Sequence, residues 1–523
     1  MEGFIRKRRF PRFTPPICAI LLALFLGVCA PAQEPPKQEP PVTPNPTPSP
    51  AEVAALLPDA PFPLDSSDRG PLAPNGAPEN SNAVPQFRQT IQDQSDDQEN
   101  PAMFSNHLFA GRFWLSGQSN TIFQAHTPFH SPYSGPNSFV GYGESATSFA
   151  NTLYTGARLR RFSELIASVD LEGGSGLSND LGLGAYINAD VIDQSLLDRP
   201  YLSRLFFHHT VPVAADRITQ SSNPLFLQPW IPRQRFEVIV GKMSLLDYFD
   251  VNEVGSDSHL QFTNIAIDNA GTYEFGGDGH GSTIASMVSY SGPRYGLRFA
   301  EALMCKVTNS NVLNYNFSQS HQEDIEFDVA TYPLRGYVTH IRALSFISHA
   351  DLGNYREADA AYLAGIDPTP NISAHRHPGT VKPGFDINIE QDLPHNFRAY
   401  FRYGWNQGLY ESFTFTEMNS TVSFGGDLSG DAWRRKDDRI GSAWVNSGLA
   451  YYHRQYLALG GIGFMLGDGA LSYGRESVSE TYYTAHVYKG LYLAAQLSFV
   501  NHPGFNRARG PAIVPGLRAH VDF

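Results

Sequence analysis

The chain is 523 residues long, 41% hydrophobic and 17% charged, with 51 acidic residues against 38 basic ones. A phosphate-binding surface needs a basic footprint, so this balance excludes a nucleic-acid partner. Beyond the N-terminus no uninterrupted apolar run reaches about 18 residues, so hydropathy gives no helical span and any membrane segment must be built from strands.

Arg6, Lys7, Arg8, Arg9 and Arg12 precede an apolar core from Ile17 to Ala30, followed by the small-residue pattern Ala30-Pro31-Ala32. This predicts a secretory signal peptide over residues 1–32, cleaved after Ala32. Its removal leaves 33 basic and 50 acidic residues, a mature charge of −17. Cys18 and Cys29 leave with it, so Cys305 is alone, forms no internal disulfide and reads as a packed side chain. Residues 33–100 hold 15 prolines among Ser, Asn, Gln and acidic residues. Such a stretch buries too little apolar surface to offset ordering, which predicts a disordered or polyproline II arm in the periplasm, a tether or a contact with the cell wall.

From Pro101 to Phe523 strand-like segments alternate with turn clusters, as one domain. At about 10 residues per strand plus turns, this length accommodates about 16 strands, within a range of 16–18. Ile325, Phe327 and Val329 oppose Glu326 and Asp328; Phe385, Ile387 and Ile389 oppose Asp386, Asn388 and Glu390. Phe397, Ala399, Phe401, Tyr403 and Trp405 oppose Arg398, Tyr400 and Arg402, and Leu491 to Phe499 repeats the pattern. A soluble sandwich and a membrane barrel share this period of two. The signal, the aromatic residues near strand ends and the alternating tail Leu517-Arg518-Ala519-His520-Val521-Asp522-Phe523 favour the second. The expected fold is all-β: a closed antiparallel transmembrane β-barrel in outer-membrane lipid, with Phe523 as a signal for the barrel assembly machinery. Gly276-Gly277-Asp278-Gly279 and Gly467-Asp468-Gly469 are expected as turns between adjacent strands. Gly460-Gly461-Ile462-Gly463 is expected in the barrel wall.

No G-x-S-x-G elbow, H-E-x-x-H helix or Walker loop occurs, so nucleophilic, zinc and phosphate chemistries lack an anchor, and Ser345, Ser348 and His349 have no catalytic frame. The chain is read as neither an enzyme nor a cofactor protein, with no catalytic residues.

Arg235 to Met243, leading into Leu245-Leu246-Asp247-Tyr248-Phe249-Asp250, resembles the G-[KR]…D-x-F-D region of the carbohydrate-selective porins, the OprB family. Tyr201 to Phe207, Pro293 to Phe299, and Tyr482 to Phe523 with Asn501-His502-Pro503-Gly504 are similar to the same family in order and spacing. The resemblance covers roughly residues 109–523 and implies a bacterial outer-membrane barrel through which sugars diffuse without energy input. In such a channel Arg398 and Arg402 would donate to sugar hydroxyls, Asp386, Glu390, Glu326 and Asp328 would accept, and Tyr400 would cover a ring face.

Phe113 to Gln118 and Asn120 to Gln124 are also similar to a subgroup of manganese-passing porins, which makes a divalent ion the alternative permeant. His375-Arg376-His377 and His208-His209 are then the imidazoles to examine, although no metal site is assigned. A barrel enzyme and a plugged barrel tethered through its arm are the remaining alternatives. A monomer and a trimer fit the sequence equally.

Overall fold

The computed structural model describes residues 107–108, 112–190, 199–219, 222–334 and 336–523; the expected signal peptide and the Pro-rich arm lie outside them. The alternating segments form sixteen long strands. These are β1 (Phe113–His126), β2 (Glu144–Arg160), β3 (Ser163–Gly174), β4 (Tyr201–Pro212), β5 (Arg235–Met243) and β6 (Thr283–Ser291). There follow β7 (Tyr295–Leu303), β8 (His321–Leu334), β9 (Tyr337–Gly353), β10 (Arg376–Leu393) and β11 (Phe397–Asn406). The wall ends with β12 (Ser420–Ser429), β13 (Arg439–Gly448), β14 (Glu476–Tyr488), β15 (Leu491–Asn501) and β16 (Ala512–Asp522).

Each strand pairs antiparallel with the next, and β16 pairs with β1 from Gly516↔Gln124 to Asp522↔Gln118. The sheet therefore closes on itself, leaving no edge strand to expose unpaired backbone to hydrocarbon. Phe523 completes the seam: its N–H donates to the Gly117 carbonyl at 2.8 Å and its carbonyl accepts from the Gly117 N–H at 2.6 Å. The Phe523 ring lies over Gly117, where a Cβ would come within 2.5 Å of it.

The period of two sorts side chains as a membrane barrel requires. Phe397, Phe401, Tyr403 and Trp405 are exposed on the outside, as are Ile325, Phe327, Leu493, Leu497 and Phe499. Arg402, Asp386, Asn388, Glu390, Glu326 and Asp328 are buried on the inside. In the tail Leu517 is 60% exposed, whereas Arg518, His520 and Asp522 are buried.

The two rims differ. On the rim of Phe523, β2 and β3 join through Arg161-Phe162, and β14 and β15 through Lys489-Gly490. The longest connection there is segment 213–234, which carries a small two-stranded ribbon (Arg217–Thr219 with Trp230–Pro232) and buries Leu225, Phe226 and Leu227 inside the barrel. The Glu164 carboxylate receives the Leu227 N–H at 3.1 Å. Long loops occupy the far rim, including helix α1 (Ile265–Asp268) between β5 and β6, α2 (Tyr355–Leu363) between β9 and β10, and α3 (Tyr451–Ala458) between β13 and β14.

Three local expectations are corrected here. Gly276-Gly277-Asp278-Gly279 does contain a tight turn, with the Asp278 N–H on the Ser282 carbonyl, but it lies within the long loop between β5 and β6 and is not a short hairpin joining them. Gly467-Asp468-Gly469 lies in the β13–β14 loop. Gly460 and Gly461 close α3 instead of forming wall: Gly460 has φ +91, and their N–H groups reach back to Leu457 and Tyr456. A glycine in the left-handed region is the common way to end a helix.

Deleting Phe523 removes both seam bonds and uncovers Gly117, so the truncated chain is expected to give a lower yield of folded barrel. Heat-modifiable migration of the membrane fraction checks this; an unchanged yield would show the seam bonds to be dispensable.

Candidate functional site

Segment 244–282 leaves β5 at the far rim and turns into the lumen, where Tyr248, Phe249, Val254, Phe262, Ile265, Ile267 and Tyr273 are all buried. Two aspartates three residues apart anchor its start. Asp247 accepts a two-pronged hydrogen bond from Arg204 on β4, Nε and Nη2 each at 2.7 Å. Asp250 is held by Arg402 on β11, whose guanidinium donates to Asp250 Oδ1 (3.0 Å) and carbonyl (2.9 Å), Ile267 carbonyl (2.8 Å), Gly255 carbonyl (2.7 Å) and Ser256 Oγ (3.0 Å). The fixed fork of an arginine suits such multiple capture better than a lysine point charge.

Asp250 takes φ +57, a left-handed conformation that aspartate tolerates better than most residues. It also accepts from the Ala270 N–H (2.6 Å) and Asn388 Nδ2 (2.7 Å), while its own N–H donates to Glu326 (2.7 Å). The loop is fastened elsewhere by the buried Lys382–Glu274 pair at 2.7 Å and by Glu480, which receives the Thr263 and Asn264 N–H groups. The second inward loop, between β11 and β12, packs on it through Thr414 and Thr416, which donate to the Phe275 and Gly271 carbonyls. At Gly404 the wall lacks a side chain because Thr272 of the loop fills that space.

All seven residues singled out by alternation point inward, on the half of the wall against which the loop packs. Arg402 and Glu326 bind the loop directly, and Arg398 pairs with Asp427 and with Glu253 of the loop (3.2 Å). Tyr400 donates to or accepts from Ser423 at 2.8 Å and lies under the Arg402 guanidinium. Glu390 takes Arg342 at 3.1 Å, Asp328 takes His340 at 3.3 Å, and Asp386 lies beside Gly404. The histidines do not converge: His208 faces in between Glu164 and Glu237, His209 bonds Ser163, His375 bonds Asp367, and His377 bonds Glu357 on the exposed rim. Ser345 and His349 are on the outer face and Ser348 on the inner, so they share no site. Burial among apolar neighbours pushes the Cys305 thiol up to about 12.

A cavity of about 210 Å³ lies on the other side of the loop, between it and β1–β4. Five carboxylates line it: Asp170 and Glu172 on β3, Asp190, and Asp247 and Asp268 of the loop, with Arg204, His259 and His280 as the basic side chains among them. Tyr154, Tyr186, Phe275 and Phe415 add aromatic surface, the two phenylalanines stacked at 4.2 Å. Tyr201 and His280 also stack, at 3.7 Å. Asp190 accepts from Asn120, from Ser258 at 3.2 Å and from His259 at 3.3 Å. Burial alone would raise the Asp190 carboxyl, but His259 beside it holds it below the usual carboxylate range. Burial, helped by the charge of Asp257, lifts the Asp268 carboxyl to about 8.

The family model described as carbohydrate-selective porin, OprB family, matches residues 141–523. The chain belongs to the OprB family. An OprB structure from Pseudomonas putida at high pH aligns at 14% identity and a TM-score of 0.60, covering 79% of this chain and 94% of that one. The outer-membrane channel DcaP of Acinetobacter baumannii aligns at 10% identity and a TM-score of 0.44, covering 81% and 100%. No curated protein matches the sequence. The barrel is thus that of an outer-membrane porin, and the family and fold are those of channels.

Sequence reading of the OprB-type segment found the loop anchors without their role: Asp247 and Asp250 are the two aspartates of its D-x-F-D stretch. It missed the cavity wall on β3, where Asp170 and Glu172 are both carboxylates two residues apart and so share one face.

Replacing Arg402 by Ala leaves Asp250 buried without its cation, at a cost of about 3–5 kcal/mol for breaking one side of a buried pair. The loop is expected to loosen and single-channel conductance to rise and become noisier; R402A currents equal to those of the parent barrel would dismiss the clamp. A second expectation follows from Asp268, which is neutral below about pH 8 and charged above it. Cation preference, read from reversal potentials, should rise between pH 6.5 and 9 and lose that step in Asp268→Asn.

Proposed function

We propose that this OprB-family porin lets small carbohydrates diffuse passively through the water-filled, mixed-charge space beside its inward loop. The observation that carries this reading is the pairing of carboxylate acceptors (Asp170, Glu172, Asp190) with aromatic faces (Tyr154, Tyr186, Phe275, Phe415) around one cavity. A sugar entering a constriction loses hydrogen bonds to water; carboxylates and Arg204 replace them, while aromatic rings cover the apolar faces of the pyranose. Arg402, Glu326 and Arg398 then act by holding the loop that shapes this space, Tyr400 by supporting Arg402, Glu390 and Asp328 by pairing with Arg342 and His340 in the packed wall, and Asp386 by lining that wall beside Gly404. On this reading residues 1–32 direct export and are removed, and residues 33–100 form a periplasmic arm.

A divalent ion such as manganese is the second reading, favoured by the five carboxylates, since this ion suits carboxylate, carbonyl and water ligands. Planar-bilayer recording separates the two. The sugar reading expects a saturable block of ion current by mono- or disaccharides, weakened about 2- to 10-fold in Phe275→Ala or Phe415→Ala, from about 0.5–1.5 kcal/mol of lost aromatic contact. Current that ignores every sugar tested but carries manganese would replace it with the ion reading.

A further inference from the structure

We propose that His321, Glu323 and His349 form a binding site for a zinc-class divalent cation on the outer face of the barrel. His321 and Glu323 are two residues apart on β8 and so share a face; His349 on β9 is the direct partner of His321 across the pair. All three continue the outward row of Ile325, Phe327 and Ile347 toward the far rim, where that row turns from apolar to polar. Their ligand atoms all lie within 4.8 Å of one another.

The donor spacing is close to that of a coordination shell. His321 Nε2 is 3.4 Å from Glu323 Oε1, and His349 Nε2 is 3.4 Å from Glu323 Oε2. An ion held tetrahedrally at about 2.0–2.1 Å by nitrogen and oxygen donors separates those donors by about 3.3 Å. Each imidazole thus already stands at about that spacing from the carboxylate, one from each oxygen, and a small turn of Glu323 brings a single oxygen between them. The rings lie face to face, His321 and His349 at 4.3 Å with 7° between their planes and Phe317 on the other side of His321 at 4.8 Å, so binding turns the two imidazoles out of their stack until both Nε2 lone pairs meet one ion. Glu323 Oε2 is buried without a hydrogen-bond partner among the described residues.

Charge compensation distinguishes this cluster from other acidic groups. Glu253, Glu390 and Asp392 also approach one another, but Arg398 pairs with Glu253 and Arg342 with Glu390. Among the described residues the ion-pair partners of Glu323 are the two histidines alone, and neutral imidazole is a preferred ligand for zinc. With three protein donors, water would complete the shell from the partly exposed side. The bound ion would cross-link β8 to β9 and neutralise a carboxylate at the boundary of the apolar band.

The test is titration of the folded barrel in detergent with Zn²⁺ by calorimetry, and with Co²⁺ by absorption. The expected result is saturation at one equivalent, with the intense visible bands of tetrahedral Co²⁺ that added Zn²⁺ removes. Loss of one ligand should weaken binding at least about tenfold in His321→Ala and His349→Ala. Glu323→Gln keeps the side-chain shape and should do the same, so the question stays answerable if an alanine variant fails to fold by heat-modifiable migration. His377→Ala, on another histidine–glutamate contact of the far rim, should bind as tightly as the parent. Absence of saturable Zn²⁺ binding, unchanged affinity in Glu323→Gln, or loss of affinity in His377→Ala would each overturn the assignment.

Discussion

A chain that crosses hydrocarbon must satisfy every backbone N–H and C=O within itself, and in this protein that requirement is met by the pairing of the last strand with the first. Closure makes inside and outside distinct, and the side-chain period of two does the rest. Greasy residues predominate on the lipid face and ionisable ones on the lumen face, so a slip of one residue would exchange the two sets. Phe523 and Gly117 mark how tightly the ring is drawn, with two reciprocal backbone bonds beneath one aromatic ring.

A closed wall of sixteen strands encloses more space than its own side chains fill, so the chain supplies the filling from its connections. The β5–β6 loop and the β11–β12 loop enter from one rim and segment 213–234 from the other. Such segments carry backbone groups that must be bonded, which accounts for the many wall side chains aimed at loop carbonyls and amides. Arg518 donates to the Ser258 and Gln261 carbonyls, Thr484 to Leu260, and Arg402 to three more. The cavity left beside β1–β4 is small, acidic and partly aromatic. Its properties come from what the loops leave uncovered on β1–β4, not from the average composition of the lumen face.

This division explains how much could be read from the sequence. Strand identity, face and approximate number were legible because alternation is local: Arg398, Tyr400 and Arg402 share a face whatever surrounds them. The barrel seam was legible in the tail for the same reason. Which inward side chains meet solvent was not, because it depends on where loops land, and neither glycine content nor hydropathy reveals that the segment after Met243 folds inside. The glycines at 276–279 and 460–463 illustrate the point, since freedom at positive φ serves a hairpin, an internal turn or a helix end equally well. Clusters made across strands were invisible too, because His321 and His349 meet only through a register that the sequence does not print.

The anchors of the constricting loop bear on the shape of the cylinder itself. Arg204 and Arg402 stand on β4 and β11, seven strands apart in a ring of sixteen, and are joined through aspartates only three residues apart. That short link works as a crossbar between nearly opposite sides of the wall. Together with the loop's other anchors, Lys382 on Glu274 and Arg518 on the Ser258 and Gln261 carbonyls, these two ionic joints brace the tube against flattening.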